Sequence, residues 1–140
     1  LVARFYRPGV ELPSPAETEA NGVLQLLVLL CDLAAAEDGG VVAIDEPENG
    51  LHPYALRSFL KRTTQWAKRH NLTVLLATHS TVLLDALNDR PECVFVMKTP
   101  ESGEPVPATL DQLCDREWRE RFMLGALYEQ GEIGSNEDEA

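Results

Sequence analysis

Acidic residues and a histidine follow two short apolar runs of this sequence. The run 41–45 closes in Asp45 and is followed by Glu46, and the run 73–78 is followed by His79. Two carboxylates and an imidazole at neighbouring strand ends suit a metal-assisted hydrolysis. One carboxylate would hold the ion, the second would orient or deprotonate water, and the imidazole would donate to a phosphate oxygen. An Asp–Glu pair on its own more often caps a helix, so the surrounding elements have to decide between these interpretations.

The elements around these residues alternate between strand and helix. Residues 41–45, 73–78 and 93–98 read as strands, and the stretch that starts at Pro53 and the stretch 81–87 read as helices. This alternation predicts an α/β fold, with three neighbouring parallel strands joined by right-handed crossovers and flanked by helices. Because the carboxyl ends of parallel strands meet at one edge, we expect Glu46 and His79 to emerge at the same edge.

Further elements are predicted on both sides of this region. Residues 1–6 read as a short strand, and the apolar stretch from Asn21-Gly22 to Ala36 reads as a buried helix. Thr109 and Gln112 have the spacing of a capping box, and residues 117–128 read as an amphipathic helix. The predicted organisation is an N-terminal strand and linker (1–16), an α/β part (17–98), and a helical tail with an acidic end (99–140).

The composition is that of a globular protein, with 44% hydrophobic and 25% charged residues and a net charge of −11. The charge is uneven, because residues 1–100 carry 9 basic and 12 acidic side chains and residues 101–140 carry 3 and 11. This balance excludes a generally basic nucleic-acid coat. The helix that starts at Pro53 has one basic face, which we interpret as solvated, with contact to DNA phosphates as the alternative: Arg57, Lys61, Arg62, Lys68 and Arg69.

No apolar run approaches the ~20 residues of a membrane span, and no export signal is present, so the sequence predicts a cytoplasmic protein without a membrane partner. The three cysteines, Cys31, Cys93 and Cys114, are widely spaced and lack a Cys-x-x-Cys pattern. They are interpreted as unpaired thiols rather than as zinc ligands.

The string from Val41 to Pro53, followed by Leu75-Leu76-Ala77-Thr78-His79-Ser80, resembles a known family. It is similar to the second half of the nucleotide-binding domain of ABC-class ATPases, in the branch of SMC, RecF-like and OLD-like proteins that is usually called "AAA family ATPase". The resemblance extends over about residues 18–134. It implies a P-loop NTPase-like fold, ATP and Mg²⁺ as ligands, and ATP hydrolysis as the reaction.

The resemblance also implies roles for individual residues. Asp45 would hold Mg²⁺ through water and Glu46 would polarise the attacking water, as in a Walker B motif. Asn49 and Gly50 would lie in the dimer-facing D-loop, and His79 would be the switch histidine at the γ-phosphate. His52 is interpreted as a helix cap or a D-loop packing residue, with dimer contact as the alternative.

The sequence departs from the family pattern at two places. No Gly is followed by Lys, so the phosphate-cradling Walker A motif is absent. The signature loop aligns with Ala20, Asn21, Gly22 and Val23, where only the glycine is kept. Asn21 and Gly22 would offer backbone N–H groups to the nucleotide of a partner domain, without the hydroxyl of the family pattern.

These departures predict that the chain is the carboxyl-terminal portion of a longer protein and is inactive alone. Its expected partners are its own N-terminal half, a second copy in a head-to-tail dimer and, as an option, DNA. The expected process is DNA repair or phage defence. The alternative is a degenerate, non-catalytic half that pairs with other ATPase subunits. A metal nuclease of the OLD-fused type is disfavoured, because no Asp-x-Asp pair occurs.

Overall fold

The computed structural model describes residues 3–99, 103–113 and 121–134, and the chain separates into two units, Leu1–Thr78 and His79–Ala140. The two units are described separately below. The division by sequence character at residues 16/17 and 98/99 stays a prediction.

The first unit contains the predicted strand–helix–strand region, preceded by a short antiparallel pair and a long helix. Its elements, in chain order, are β1 (Arg4–Phe5), β2 (Ser14–Pro15), a 3₁₀ turn (Ala16–Thr18), α1 (Asn21–Ala35), β3 (Val41–Asp45), α2 (Pro53–His70) and β4 (Thr73–Ala77). The helices α1 and α2 pack against each other. Their apolar residues form the core of this unit together with Ile44 of β3: Leu29, Leu33, Leu56, Phe59 and Leu60.

The strands β3 and β4 pair in parallel, with Val41 opposite Thr73 and Asp45 opposite Ala77. The crossover between them is α2, whose ends follow from its sequence. His52 is the N-cap, Pro53 occupies the first turn, and Asn71 ends the helix in the left-handed conformation with a φ of 52°. The parallel register therefore brings the carboxyl ends of both strands to one edge, as predicted.

The helix α1 is less buried than its apolar sequence predicts. Only Leu29 and Leu33 are buried, whereas Val23, Leu27 and Val28 are exposed. The apolar residues surround the helix, but α2 and β3 cover only one side of it. The prediction of a helix was correct within one residue, and the prediction of burial was correct for one face.

The second unit begins at His79 and combines short helices with an antiparallel hairpin. Its elements are α3 (Thr81–Ala86), a 3₁₀ turn (Pro91–Cys93), β5 (Phe95–Lys98), β6 (Val106–Thr109), α4 (Leu110–Leu113) and α5 (Leu124–Glu129). Its hydrophobic core gathers side chains from α3, α4 and α5 and from two residues outside these elements: Leu84, Val94, Leu110, Leu124, Leu127 and Ile133.

Two predictions for this unit need correction. β5 pairs with β6 in an antiparallel hairpin, so the described residues contain two parallel strands, β3 and β4, rather than three. The turn-rich segment after Lys98 folds back, so that Val106–Thr109 becomes the partner strand. The helix predicted for 117–128 is observed from Leu124, because Met123 is an extended N-cap with a ψ of 144°. Residues 117–120 lie outside the described residues.

The capping box predicted at Thr109 and Gln112 is confirmed in part, because the Thr109 N–H donates to Gln112 Oε1 at 2.9 Å. Among the described residues, no helix is both long and apolar enough to cross a membrane.

Candidate functional site

The carboxyl edge of the parallel sheet carries the predicted acidic residues. Asp45 is the last residue of β3, and the Asp45 and Glu46 side chains are exposed. Beside them, Ala77 ends β4 and is followed by Thr78. His79 is bonded to Thr78 but begins the second unit, so its surroundings are described with that unit. The structure thus brings Asp45 and Glu46 to one edge of the first unit.

The backbone of Glu46 turns sharply away from the strand. Its φ of 45° is left-handed, which costs a non-glycine residue on the order of 1 kcal/mol. The turn is held because the Glu46 N–H donates to the Ala77 carbonyl at 2.8 Å and the Asn49 N–H donates to the Glu46 carbonyl at 3.1 Å. Because the strand alternation ends here, the adjacent Asp45 and Glu46 side chains both reach solvent.

The carboxylate of Glu46 is held by a side chain of the same turn. Asn49 Nδ2 donates to Glu46 Oε2 at 2.6 Å. Sequence reasoning placed Asn49 near nucleotide only as part of the dimer-facing loop. The structure gives Asn49 a contact within its own chain, where it orients the carboxylate that the sequence singles out as the base.

A second hydrogen bond ties this turn to the end of β4. The Thr78 hydroxyl lies 2.8 Å from both carboxylate oxygens of the half-buried Glu48. Pro47, between the two glutamates, is fully buried. Sequence reasoning gave Glu48 and Thr78 no role of their own, because no local pattern joins residues 30 positions apart. The link therefore joins the Glu46 turn to the end of β4 within the first unit.

This link should be measurable as stability. Thr78→Val keeps the shape of the side chain but leaves Glu48 without the hydroxyl donor, so we expect the free energy of unfolding to fall by about 1–3 kcal/mol. Thr78→Ser keeps the hydroxyl and is the matched control, with an expected loss below that of valine. Urea unfolding of the chain measures both. Equal losses for valine and serine would show that the methyl group matters and the hydrogen bond does not.

The start of α1 touches the same turn. Gly50 has a φ of 74°, and its carbonyl lies so close to Gly22 that a Cβ on residue 22 would stand 2.5 Å from the oxygen. The four residues predicted to bind nucleotide (Asn21, Gly22, Asn49 and Gly50) therefore belong to two segments in direct contact. The sequence explained Gly22 by backbone N–H groups offered to a phosphate. The structure supplies a packing reason for the same glycine.

His79 has a defined neighbour in the second unit. Its exposed ring approaches the half-buried Tyr128 of α5, with 2.7 Å between His79 Nδ1 and the Tyr128 hydroxyl. The ring centroids are 6.3 Å apart. Tyr128 lies in the stretch 117–128 that the sequence predicts as an amphipathic helix, and no spacing signal pointed from it to His79.

Two other predicted features lie on α2. The interpretation of His52 as a cap is confirmed, since its Nδ1 accepts the Tyr54 N–H at 3.2 Å. The basic side chains of this helix are all exposed, in agreement with a solvated face: Arg57, Lys61, Arg62, Lys68 and Arg69.

Within the described ranges, no group of three or more His, Cys, Asp or Glu residues is arranged to hold a metal ion.

Residues 4–85 match the sequence model of a protein family described as "AAA domain, putative AbiEii toxin, Type IV TA system". This match covers more than half of the chain and includes the whole turn after β3. The chain belongs to this AAA-domain family. Its fold in the described residues, a mixture of helices and strands with a small parallel sheet, is compatible with the α/β fold of P-loop NTPases.

The chain is also similar to the energy-coupling factor transporter ATP-binding protein EcfA2 of Enterococcus faecalis (strain ATCC 700802 / V583). The two are 30% identical over 87 residues, which is 61% of this chain and 28% of that protein. The match therefore spans less than a third of the relative's length. Together with the family match, it supports a protein of the AAA/ABC-type ATPase class.

Proposed function

We propose that this chain supplies residues for ATP hydrolysis in an ATPase of the ABC/AAA type. In this proposal Glu46 orients and polarises the attacking water. The observation that carries the proposal is the turn after β3. It presents two adjacent carboxylates, Asp45 and Glu46, at the carboxyl edge of a parallel sheet and holds Glu46 by a hydrogen bond from Asn49. A residue with only a helix-capping role needs neither a left-handed backbone nor a dedicated amide donor.

The residues at this edge fit Mg²⁺ bound together with a nucleotide. Mg²⁺ is commonly held by one or two carboxylates, water and phosphate oxygens rather than by a cage of protein ligands. The exposed carboxylate of Asp45 has the chemistry for one water-mediated contact to Mg²⁺. When bound, Mg²⁺ and ATP would supply the electrophilic phosphorus and neutralise its developing charge.

The chain's own residues would then divide the work. Glu46 would accept a hydrogen bond from the attacking water, and Asn49 would keep its carboxylate turned toward that position. His79 would donate to a phosphate oxygen, and Glu48 with Thr78 would hold the turn to the strand end. Asn21 and Gly22, with Asn49 and Gly50, would face the nucleotide of a second copy in a head-to-tail dimer.

The exposed apolar face of the parallel sheet supports the proposal that an N-terminal half of the domain packs on it. Val41 and Leu75 are 67% and 58% exposed, and both belong to the face opposite the buried Ile44. Parallel strands are usually covered on both faces. We propose that an N-terminal half of the domain, with the phosphate-cradling loop, packs on this face in the longer protein. The process served by the ATPase would be DNA repair or phage defence, with DNA contact as an option.

The second candidate is a non-catalytic half that pairs with other ATPase subunits. The observation that favours it is the start of α1, where Ala20 is the N-cap and has no side-chain group to hydrogen-bond. The family pattern has a hydroxyl in this loop. The intact Asp45, Glu46 and His79 favour the catalytic alternative.

The isolated chain is expected to bind no ATP. Residues 1–140 contain no Gly-Lys pair and so no phosphate loop, which leaves the γ-phosphate without its main cradle. Calorimetric titration of the chain with Mg²⁺-ATP should give no measurable heat of binding. The matched titration uses the chain joined to an upstream segment that contains Gly-x-x-x-x-Gly-Lys-Ser/Thr. Micromolar affinity of the isolated chain would contradict the proposal and would require another phosphate cradle.

A further inference from the structure

The C-terminal helix α5 places a tyrosine hydroxyl on His79. The distance between the Tyr128 oxygen and His79 Nδ1 is 2.7 Å, and the rings are tilted by 38°. Tyr128 is half-buried while His79 is exposed, so the contact joins an anchored side chain to one that faces solvent. In such an arrangement the anchored tyrosine can determine which nitrogen of the imidazole carries the proton.

The chemistry of the two groups defines what this contact does. A neutral imidazole has one nitrogen that donates and one that accepts, and the partner of one nitrogen sets the role of the other. A tyrosine hydroxyl that donates to Nδ1 requires Nδ1 to accept, which leaves the proton on Nε2. An imidazole in this tautomer donates through Nε2 while remaining neutral.

We propose that Tyr128 is a positioning residue for His79. Its hydroxyl donates to Nδ1 and keeps the neutral ring protonated on Nε2, the nitrogen that would donate to a phosphate oxygen. This inference rests on the proposed function, because it gives the C-terminal tail a part in the same site.

Two side chains of the α3 segment fix the start of α5. Asp85 Oδ1 accepts the Gly125 N–H at 2.9 Å, and Asn88 Oδ1 accepts the Leu124 N–H at 3.0 Å. These groups satisfy amides of the first turn, which otherwise lack partners within a helix. Because α3 begins two residues after His79, these bonds hold α5 next to the segment that carries the histidine.

Close packing then fixes the tyrosine ring. A Cβ on Gly125 would stand 2.7 Å from Asp85 Oδ1 and 2.9 Å from Thr81 Cβ, so α5 lies directly on α3. A Cβ on Gly134 would stand 2.8 Å from Tyr128 Cε2, so the following backbone covers the ring. Leu124 and Leu127 of the same helix are fully buried. The position of the Tyr128 hydroxyl is therefore determined by the packing of the tail.

Nuclear magnetic resonance of the full chain tests the inference without nucleotide. Long-range proton–nitrogen spectra show which ring nitrogen of His79 carries the proton. We expect Nε2 to be protonated in the parental chain. Protonation of Nδ1 there would overturn the proposal before any variant is made.

Tyr128→Phe keeps the packed ring and removes only the hydroxyl. We expect the ratio of Nε2-protonated to Nδ1-protonated His79 to fall about fivefold, the equivalent of one neutral hydrogen bond. Tyr6→Phe is the matched control, because Tyr6 is 78% exposed and belongs to the first unit. It should leave the His79 signals unchanged. An unchanged ratio in Tyr128→Phe would overturn the proposal.

Kinetics of the proposed longer, ATP-hydrolysing protein separate this inference from the proposed function. We expect Tyr128→Phe to lower kcat about fivefold with little change in KM, and to have no further effect when combined with His79→Ala. If His79→Ala hydrolyses ATP at the parental rate, the role assigned to His79 in the proposed function fails. If His79→Ala is slow and Tyr128→Phe is not, the positioning role of Tyr128 fails.

Discussion

Replacement of Glu46 by Gln is expected to lower steady-state ATP hydrolysis by the proposed longer protein by about two to four orders of magnitude, the usual contribution of a positioned base. The substitution removes the negative charge but keeps the length of the side chain. Its amide oxygen can still accept the hydrogen bond that Asn49 Nδ2 now donates to Glu46 Oε2. The turn should therefore persist, so that the loss reports on the charge.

Three other substitutions define the background for this result. Glu37→Gln makes the same chemical change at an exposed position near the end of α1 and should keep the parental rate. Asp45→Asn should weaken the binding of Mg²⁺-nucleotide, because Asp45 would hold the ion through water. His79→Ala should lower turnover with a smaller effect on affinity. If Glu46→Gln and Glu37→Gln hydrolyse ATP equally fast, Glu46 has no catalytic role.

The Glu46→Gln protein should also accumulate as a dimer when ATP and Mg²⁺ are present. In the proposed head-to-tail arrangement, bound nucleotide lies between two copies, so a block of hydrolysis keeps them together. Size-exclusion chromatography with and without ATP measures this. A monomeric profile together with tight ATP binding would argue against the predicted contribution of Asn21 and Gly22 to the partner's site.

Gly22→Ala is expected to destabilise the first unit by about 1–3 kcal/mol, the usual cost of forcing a methyl group into a packed site. The new Cβ would stand 2.5 Å from the Gly50 carbonyl oxygen. This distance is too short for a van der Waals contact, so the backbone at residue 22 or at residue 50 would have to shift. Alanine is the better helix former by up to about 1 kcal/mol, which offsets part of the loss. The clash is with backbone rather than with a flexible side chain, so we expect the loss to prevail.

Asn21→Ala is the matched control for this prediction. It lies in the same turn of α1 but already has a Cβ, so it adds no atom next to Gly50. Urea unfolding should show a lower midpoint for Gly22→Ala and a parental or higher midpoint for Asn21→Ala. A Gly22→Ala protein as stable as the parent would show that α1 and the turn can move apart without loss of stability.

The sequence predicted the parts of the fold that depend on local patterns. Apolar runs that end in polar residues located β3 and β4, and a stretch that starts at Pro53 and has one basic face located α2. The parallel pairing of β3 with β4 followed from the crossover helix between them. These signals are local, and the structure places Asp45 at the predicted edge.

Contacts between distant residues were not predictable in the same way. The pairing of β5 with β6 depends on a turn-rich segment that folds back, and the sequence of Val106–Thr109 includes a proline that obscures the strand. The Thr78–Glu48 and His79–Tyr128 hydrogen bonds join residues 30 and 49 positions apart. Side-chain pairs at such separations have no periodic signature in a single sequence.

The hydrolysis of pre-bound ATP in a single turnover tests the central claim most directly, because it isolates the chemical step from nucleotide binding and dimer dissociation. The parental longer protein and its Glu46→Gln variant would each be loaded with ATP and started by Mg²⁺. The proposed role of Glu46 predicts that ATP binds in both and that the rate constant of cleavage falls at least about a hundredfold in the variant. Equal rate constants would contradict it and would leave Glu46 as a residue that shapes the turn after β3.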